Sequence, residues 1–159
     1  ELQIAFMPRP TPAGLRGYRF EDLVRDPVCL AVTPKHPLAG RRTVTLAEAA
    51  RELIITYNRK DYPDAHEHLT TVFATIESKL QIAEEHDSVS SLIVAVEAGN
   101  GVAVAAQSLI CTAGTRLKLI PISPAPAPLI VGAAWMNHQL GPTAERFLKL
   151  AKEVAAKLG

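Results

Sequence analysis

Short apolar runs rich in β-branched residues recur along this chain, and the stretches between them carry helical spacing with explicit start and stop signals. The strand candidates are Leu2–Phe6, Val28–Thr33, Leu53–Tyr57, Leu80–Glu84, Val102–Ala106, Leu117–Ile122 and Leu129–Trp135. Alternation of such runs with helices is the pattern of a layered α/β protein, because each helix covers the sheet that its neighbours build. Several of the runs are apolar on both faces, which suits a parallel sheet covered by helices on both sides.

The helical stretches announce themselves locally. Thr45-Leu46-Ala47-Glu48 is a capping box opening a short helix to about Glu52: the Thr45 hydroxyl accepts from the Glu48 N–H, and Glu48 reaches back to the N–H of Thr45. From Asp64, Leu69, Val72, Phe73 and Ile76 fall on one helical face. Val89, Leu92, Ile93 and Val96 repeat that spacing, with Asp87 read as the N-cap and Gly99 as the left-handed residue that ends the helix. Gly141-Pro142 opens a last helix with Ala144, Phe147, Leu148, Ala151, Val154, Ala155 and Leu158 on one face. Prolines gather in the loops, above all in Ser123-Pro124-Ala125-Pro126-Ala127-Pro128, an extended connector.

A chain of 159 residues with 48% hydrophobic and 21% charged residues can bury a real core, as one domain or as two small lobes sharing a hinge. Seventeen Lys and Arg against sixteen Asp and Glu leave a net charge of +1 without a basic stripe, so this chain is not expected to grip DNA by itself. Cys29 and Cys111 lack metal-ligand spacing and read as buried free thiols of a reducing cytosol, with a single disulfide between them left open. No run approaches a membrane span and no export signal opens the chain. It starts abruptly on a strand pattern, which suggests a piece of a larger protein.

Catalysis finds no foothold. His66 and His68 diverge on their helix and cannot share a metal, and HExxH, GxSxG and the glycine-rich phosphate loops are absent. We therefore expect no enzyme, no metal and no cofactor.

Several segments, taken in order, resemble the effector-binding domain of LysR-type transcriptional regulators. "ELQIAF" resembles the family's opening "GELDIAF" strand. "LVRDPVCLAVTPKHPLAGRRTVTLAEAARELIITY" resembles its crossing strand, Pro-Lys-His-Pro-Leu-Ala turn, helix and next strand. "DSVSSLIVAVEAGNGVAV" resembles the helix ending in "AGxGVA", and "LIVGAAW" with "GPTAERFLKLAKE" its returning strand and last helix. The resemblance runs nearly end to end. It implies a two-lobe fold similar to periplasmic solute-binding proteins, with a small-molecule effector held between the lobes. Residues 27–121 would form the complete second lobe, and 1–26 with 122–159 part of the first. Hinge strands would lie near 28–33 and 117–122. It further implies a cytoplasmic homodimer or tetramer that reaches DNA only through an N-terminal winged helix-turn-helix absent here. The alternative reading is the solute-binding protein of a transporter, which shares the fold.

Ligands of open α/β sheets bind beyond the carboxyl ends of strands. Two places answer to that here. Thr56, Tyr57 and Asn58 end the strand at 53–57, where the family places a second-lobe contact, while Arg59 and Lys60 beside them read as solvated. Ser88 stands at the start of the 89–98 helix, whose N–H groups and dipole favour an anion; Ser90 and Ser91 read as solvent or packing residues. Gly101 and Val102, after that helix, join the candidate set. On the first-lobe side, Met7 and Arg9 follow the opening strand, and Arg9 can pair with a carboxylate.

Overall fold

The structure, a computed structural model, describes residues 3–158 apart from Thr11, Ala13, Ser78 and the side chain of Leu158. Leu2 of the first expected strand and the Leu158 side chain of the last expected stripe thus lie outside the described residues. In chain order the elements are β1 (Ala5–Pro8), β2 (Tyr18–Asp26), β3 (Val28–Val32), α1 (Leu46–Ala49), β4 (Leu53–Tyr57), α2 (Pro63–Val72) and β5 (Gln81–His86). Then follow α3 (Val89–Ala98), β6 (Ala103–Ala106), α4 (Ile110–Ala113), β7 (Lys118–Pro121), β8 (Leu129–Met136) and α5 (Pro142–Leu158). Two compact units result, Glu1–Asp26 with Leu129–Gly159, and Pro27–Pro128.

In the unit Pro27–Pro128, β3 pairs antiparallel with β6 on one side and β7 on the other, and β4 pairs parallel with β5. A parallel bridge of Ile54 to Val102 joins β4 to the start of β6, through Val102 N–H to Leu53 O and Ile55 N–H to Val102 O, both 2.8 Å. The expected parallel sheet is therefore largely antiparallel. Apolar residues on both faces report burial, not strand direction: Leu30, Ala31 and Val32 are fully buried between helices although both neighbours of β3 run against it. One face carries Leu30, Ile54, Leu69, Val72 and Phe73; the other carries Ile55, Leu92, Ile93 and Val96. Each such large side chain contributes about 1.5–3 kcal/mol on leaving water.

The local signals mostly hold. The capping box of α1 is present in both directions, with Glu48 N–H to Thr45 Oγ1 at 3.1 Å and Thr45 N–H to Glu48 Oε2 at 2.8 Å. In the Pro-Lys-His-Pro-Leu-Ala turn, His36 Nδ1 accepts from the Leu38 N–H at 3.2 Å, so the ring proton sits on Nε2, 3.5 Å from Glu52. The α2 helix stops at Val72, so Ile76 packs on the core from beyond it. Cys29 is buried but Cys111 is exposed on α4, and the two do not form a disulfide. The expectation that both are buried fails because α4 is a single four-residue turn with only Ala113 buried.

In the other unit, β8 is the central strand between β1 and β2, antiparallel to both. The strand β2 escapes sequence periodicity. Arg19, Glu21, Asp22 and Arg25 interrupt its apolar residues, and a bulge between Asp22 and Val24 breaks the two-residue period. The α5 helix packs Ala144, Leu148 and Ala155 inward, whereas Phe147 and Val154, expected on the same face, are more than half exposed. Phe147 instead meets Phe6 of β1 edge to face, 5.6 Å between centroids.

Candidate functional site

Because β4 and β5 are parallel, their carboxyl ends open at the same edge, and the loops leading into α2 and α3 start there. The register sets Thr56 beside Glu85 and Tyr57 beside His86, and the Asn58 N–H continues it to His86 O at 2.9 Å. Tyr62, just ahead of α2, closes this mouth. Its ring lies 4.9 Å from that of Tyr57, and its hydroxyl donates to the Asp87 carbonyl at 2.8 Å.

Each candidate residue has a distinct setting. Thr56 is 7% exposed, and its hydroxyl has no hydrogen-bond partner among the described residues. No buried side-chain polar atom there lacks both partner and solvent, so Thr56 Oγ1 keeps a path to water. Tyr57 is half-buried; burial, with a smaller contribution from Tyr62, raises the pKa of its hydroxyl and keeps it a neutral donor. Asn58 is a turn residue: Oδ1 accepts from the Asp61 N–H at 2.8 Å, and Nδ2 donates to the Asp61 carboxylate at 2.9 Å. Both ends of its amide are engaged in its own loop.

The N-cap of α3 is Ser88, not Asp87. Ser88 is extended and its Oγ accepts from the Ser91 N–H at 3.2 Å, while the Asp87 carboxylate lies 3.4 Å from the Ser91 hydroxyl. Asp87 belongs to the preceding bend, so a three-residue reach from Asp87 would stop one residue short of the bonded N–H. The cap leaves the N–H groups of Val89 and Ser90 without an intrahelical acceptor, at the positive end of the helix.

Gly101 and Val102 do structural work. A side chain on Gly101 would run into the Leu53 carbonyl and approach Ile55 Cγ1 at 3.1 Å. Val102 is fully buried, with its N–H and carbonyl both bonded to β4, so it presents nothing to a ligand. In the other unit, Met7 is half-buried opposite Gly132, and Arg9 pairs with Asp22 with its guanidinium 5.1 Å from the centre of the Phe20 ring.

Beside the mouth, a groove of about 580 Å³ runs along β5 and α3, lined among others by Glu84, His86, Ser88, Ser91, Val94 and Asn100. His86 Nε2 lies 2.9 Å from one Glu84 carboxylate oxygen, and the other accepts from Asn100 Nδ2 at 2.8 Å. Sequence reasoning passed over Tyr62 and His86. Pro63 at the first helical position was the available signal for Tyr62, since it marks the preceding residue as the helix start. Nothing in one strand's sequence tells which edge residue will face a neighbouring helix.

Among the described residues no three His, Cys, Asp or Glu side chains are grouped to hold a metal ion, and no helix is long and apolar enough to cross a membrane. The model of the LysR substrate binding domain matches residues 1–156. The chain belongs to the LysR substrate-binding domain family. Its likeness to a transcriptional regulator, BudR of Raoultella terrigena, is 24% identity over 150 residues, covering 94% of this chain and 51% of that protein. The chain thus spans about half the length of the curated relatives it matches. The fold is that of LysR effector-binding domains. The regulatory domain of CcmR from Synechocystis PCC6803, solved in complex with 2-PG, superposes with a TM-score of 0.82 at 17% identity, covering 96% of this chain and 73% of that one. The BenM effector binding domain with its effector benzoate gives 0.81 at 19%, covering 99% and 71%.

Proposed function

We propose that this LysR substrate-binding domain is the sensing part of a transcriptional regulator, and that it takes a small organic anion at the mouth of β4 and β5. The observation that carries the reading is the buried Thr56 hydroxyl, unpartnered among the described residues, at the same strand ends as the open N–H groups of Val89 and Ser90. A carboxylate or phosphate accepts from such N–H groups, and Thr56 adds a hydroxyl that folding has already removed from most water. Tyr57 gives a neutral donor and an apolar ring beside it. Of the sequence candidates, Thr56, Tyr57 and the α3 start around Ser88 carry this unit's contacts; Met7 and Arg9 are the candidates of the other. Relatives of this fold hold 2-PG and benzoate, both small molecules of the class this chemistry suits.

Binding alters transcription only if the ligand has different affinity for two arrangements of the protein. In the whole regulator we place DNA contact in a separate helix-turn-helix, the site of action in the cytoplasm and the working unit in a homodimer or tetramer. The family match and the curated relatives, all regulators, do not favour the transporter reading.

Titration of the full-length regulator with benzoate, inorganic phosphate and a panel of small carboxylates, read by calorimetry and operator binding, tests this. A ligand that binds, shifts operator affinity and loses about tenfold or more in a Thr56→Val variant supports it. Ligands that bind with unchanged affinity in Thr56→Val would overturn the site, and a regulator that answers to none of them would overturn the sensing role for small anions.

A further inference from the structure

We propose that Asp22 is a built-in competitor at Arg9: an anionic ligand takes the Arg9 guanidinium by displacing the Asp22 carboxylate, so Asp22 sets how strongly an anion must bind to be sensed. This rests on the reading of Arg9 as an effector contact and adds a residue that tunes it.

The arrangement is specific. Arg9 follows directly on β1, and its N–H donates to Ile130 O at 2.7 Å, so the start of the side chain is fixed against β8. In the register, Gly132 of β8 is opposite both Met7 of β1 and Asp22 of β2. The arginine therefore spans the central strand, from β1 to β2, at the level where that strand has no side chain. A Cβ on Gly132 would lie 2.6 Å from the Phe20 ring, so the ring occupies the space that the glycine leaves. The guanidinium stands 5.1 Å from the centre of this ring and meets Asp22, two residues along on the same face of β2. Ring and carboxylate together hold the fork at one place before any ligand arrives.

The hold is also weak. The Arg9 and Asp22 side chains are 47% and 38% exposed, and the pair is made through a single guanidinium nitrogen, Nη2, to one carboxylate oxygen. Exposed pairs of this kind contribute at most about 1 kcal/mol, or about fivefold in an equilibrium constant. A carboxylate or phosphate that takes two parallel N–H groups of the fork outcompetes a one-oxygen contact, while the Phe20 ring keeps the guanidinium in place during the exchange.

The test follows the Nε–H resonance of Arg9, assigned by its loss in Arg9→Lys, as benzoate and inorganic phosphate are titrated into the chain. The expected result is a resonance that responds in the native chain and responds at about two- to fivefold lower concentration in Asp22→Asn. Asp22→Ser, which also removes the charge, is expected to move the same way, so a folding defect in one variant does not decide the matter. Identical titrations in native chain and both variants would overturn the competition and leave Arg9 as an effector contact. A resonance that answers to neither anion in any of the proteins would overturn the Arg9 reading and the competition with it.

Discussion

The Tyr62 hydroxyl donates to the main-chain carbonyl of Asp87 at 2.8 Å, tying the loop after β4 to the bend that starts α3. The two segments are far apart in the chain, yet each leads out of one of two adjacent parallel strands, so this bond links the two sides of the mouth between them.

Replacing Tyr62 by Phe keeps the ring beside Tyr57 and removes only the bond. We expect a loss of about 0.5–1.5 kcal/mol in urea unfolding. Amide exchange at Val89, Ser90 and Ser91 should quicken by more than at buried Ile93, because the lost anchor is local to the helix start. Equal protection of the α3 start in Tyr62→Phe and the native chain would show that the bond does not hold it.

Gly101 and Gly99 separate two reasons for glycine. Gly99 ends α3 at φ 84°, with open space where a Cβ would go, so Gly99→Ala meets backbone strain alone and should cost about 1–3 kcal/mol, and Gly99→Asn less. Gly101 faces the Leu53 carbonyl, which neither rotates nor yields, so Gly101→Ala must push the start of β6 off β4. It should cost at least the 1–3 kcal/mol of ordinary overpacking and weaken the two Val102 hydrogen bonds. Denaturant midpoints of the three variants check the order.

His68 gives the fold a pH dependence of known sign. Burial lowers its pKa below the 6.5 of an exposed imidazole, so the unfolded chain takes up the proton first as pH falls. Its contribution to stability is therefore intact above about 6.5, declines as pH drops toward the folded pKa and levels off below it. Comparing denaturation of the native chain and His68→Gln between about pH 7.5 and 5 isolates this group from the other histidines, and the native chain should lose stability relative to the variant as pH falls through that window. A difference independent of pH would show that His68 keeps its proton equally well folded and unfolded.

These residues also mark what could be read from the sequence. Thr45 and Glu48 were legible because a capping box is closed within four residues, and Gly99 because a helix must leave through left-handed space. Gly101 and Val102 looked like site residues by position, but their settings depend on partners elsewhere: the Leu53 carbonyl and the β4 ladder. The strand β2 was hidden since its charges pair across the sheet layer, Lys152 of α5 with Glu21 at 2.6 Å, and Arg9 with Asp22. Tertiary pairing of this kind leaves no periodic trace in either segment.

Ser88 is the sharpest case, being at once the cap of α3 and the residue directly before its open N–H groups. A cap role predicts that Ser88→Ala loses about 1 kcal/mol. An effector role alone predicts no loss of stability and weaker binding. Ser88→Asp separates them, because aspartate caps as well as serine does but puts a fixed negative charge where the anion would sit. We expect Ser88→Asp to match the native chain in urea unfolding to within about 0.5 kcal/mol and to bind benzoate or phosphate at least about tenfold more weakly, the cost of like charges sharing one helix end. If Ser88→Asp binds such anions as tightly as the native chain, the start of α3 is a cap and nothing more.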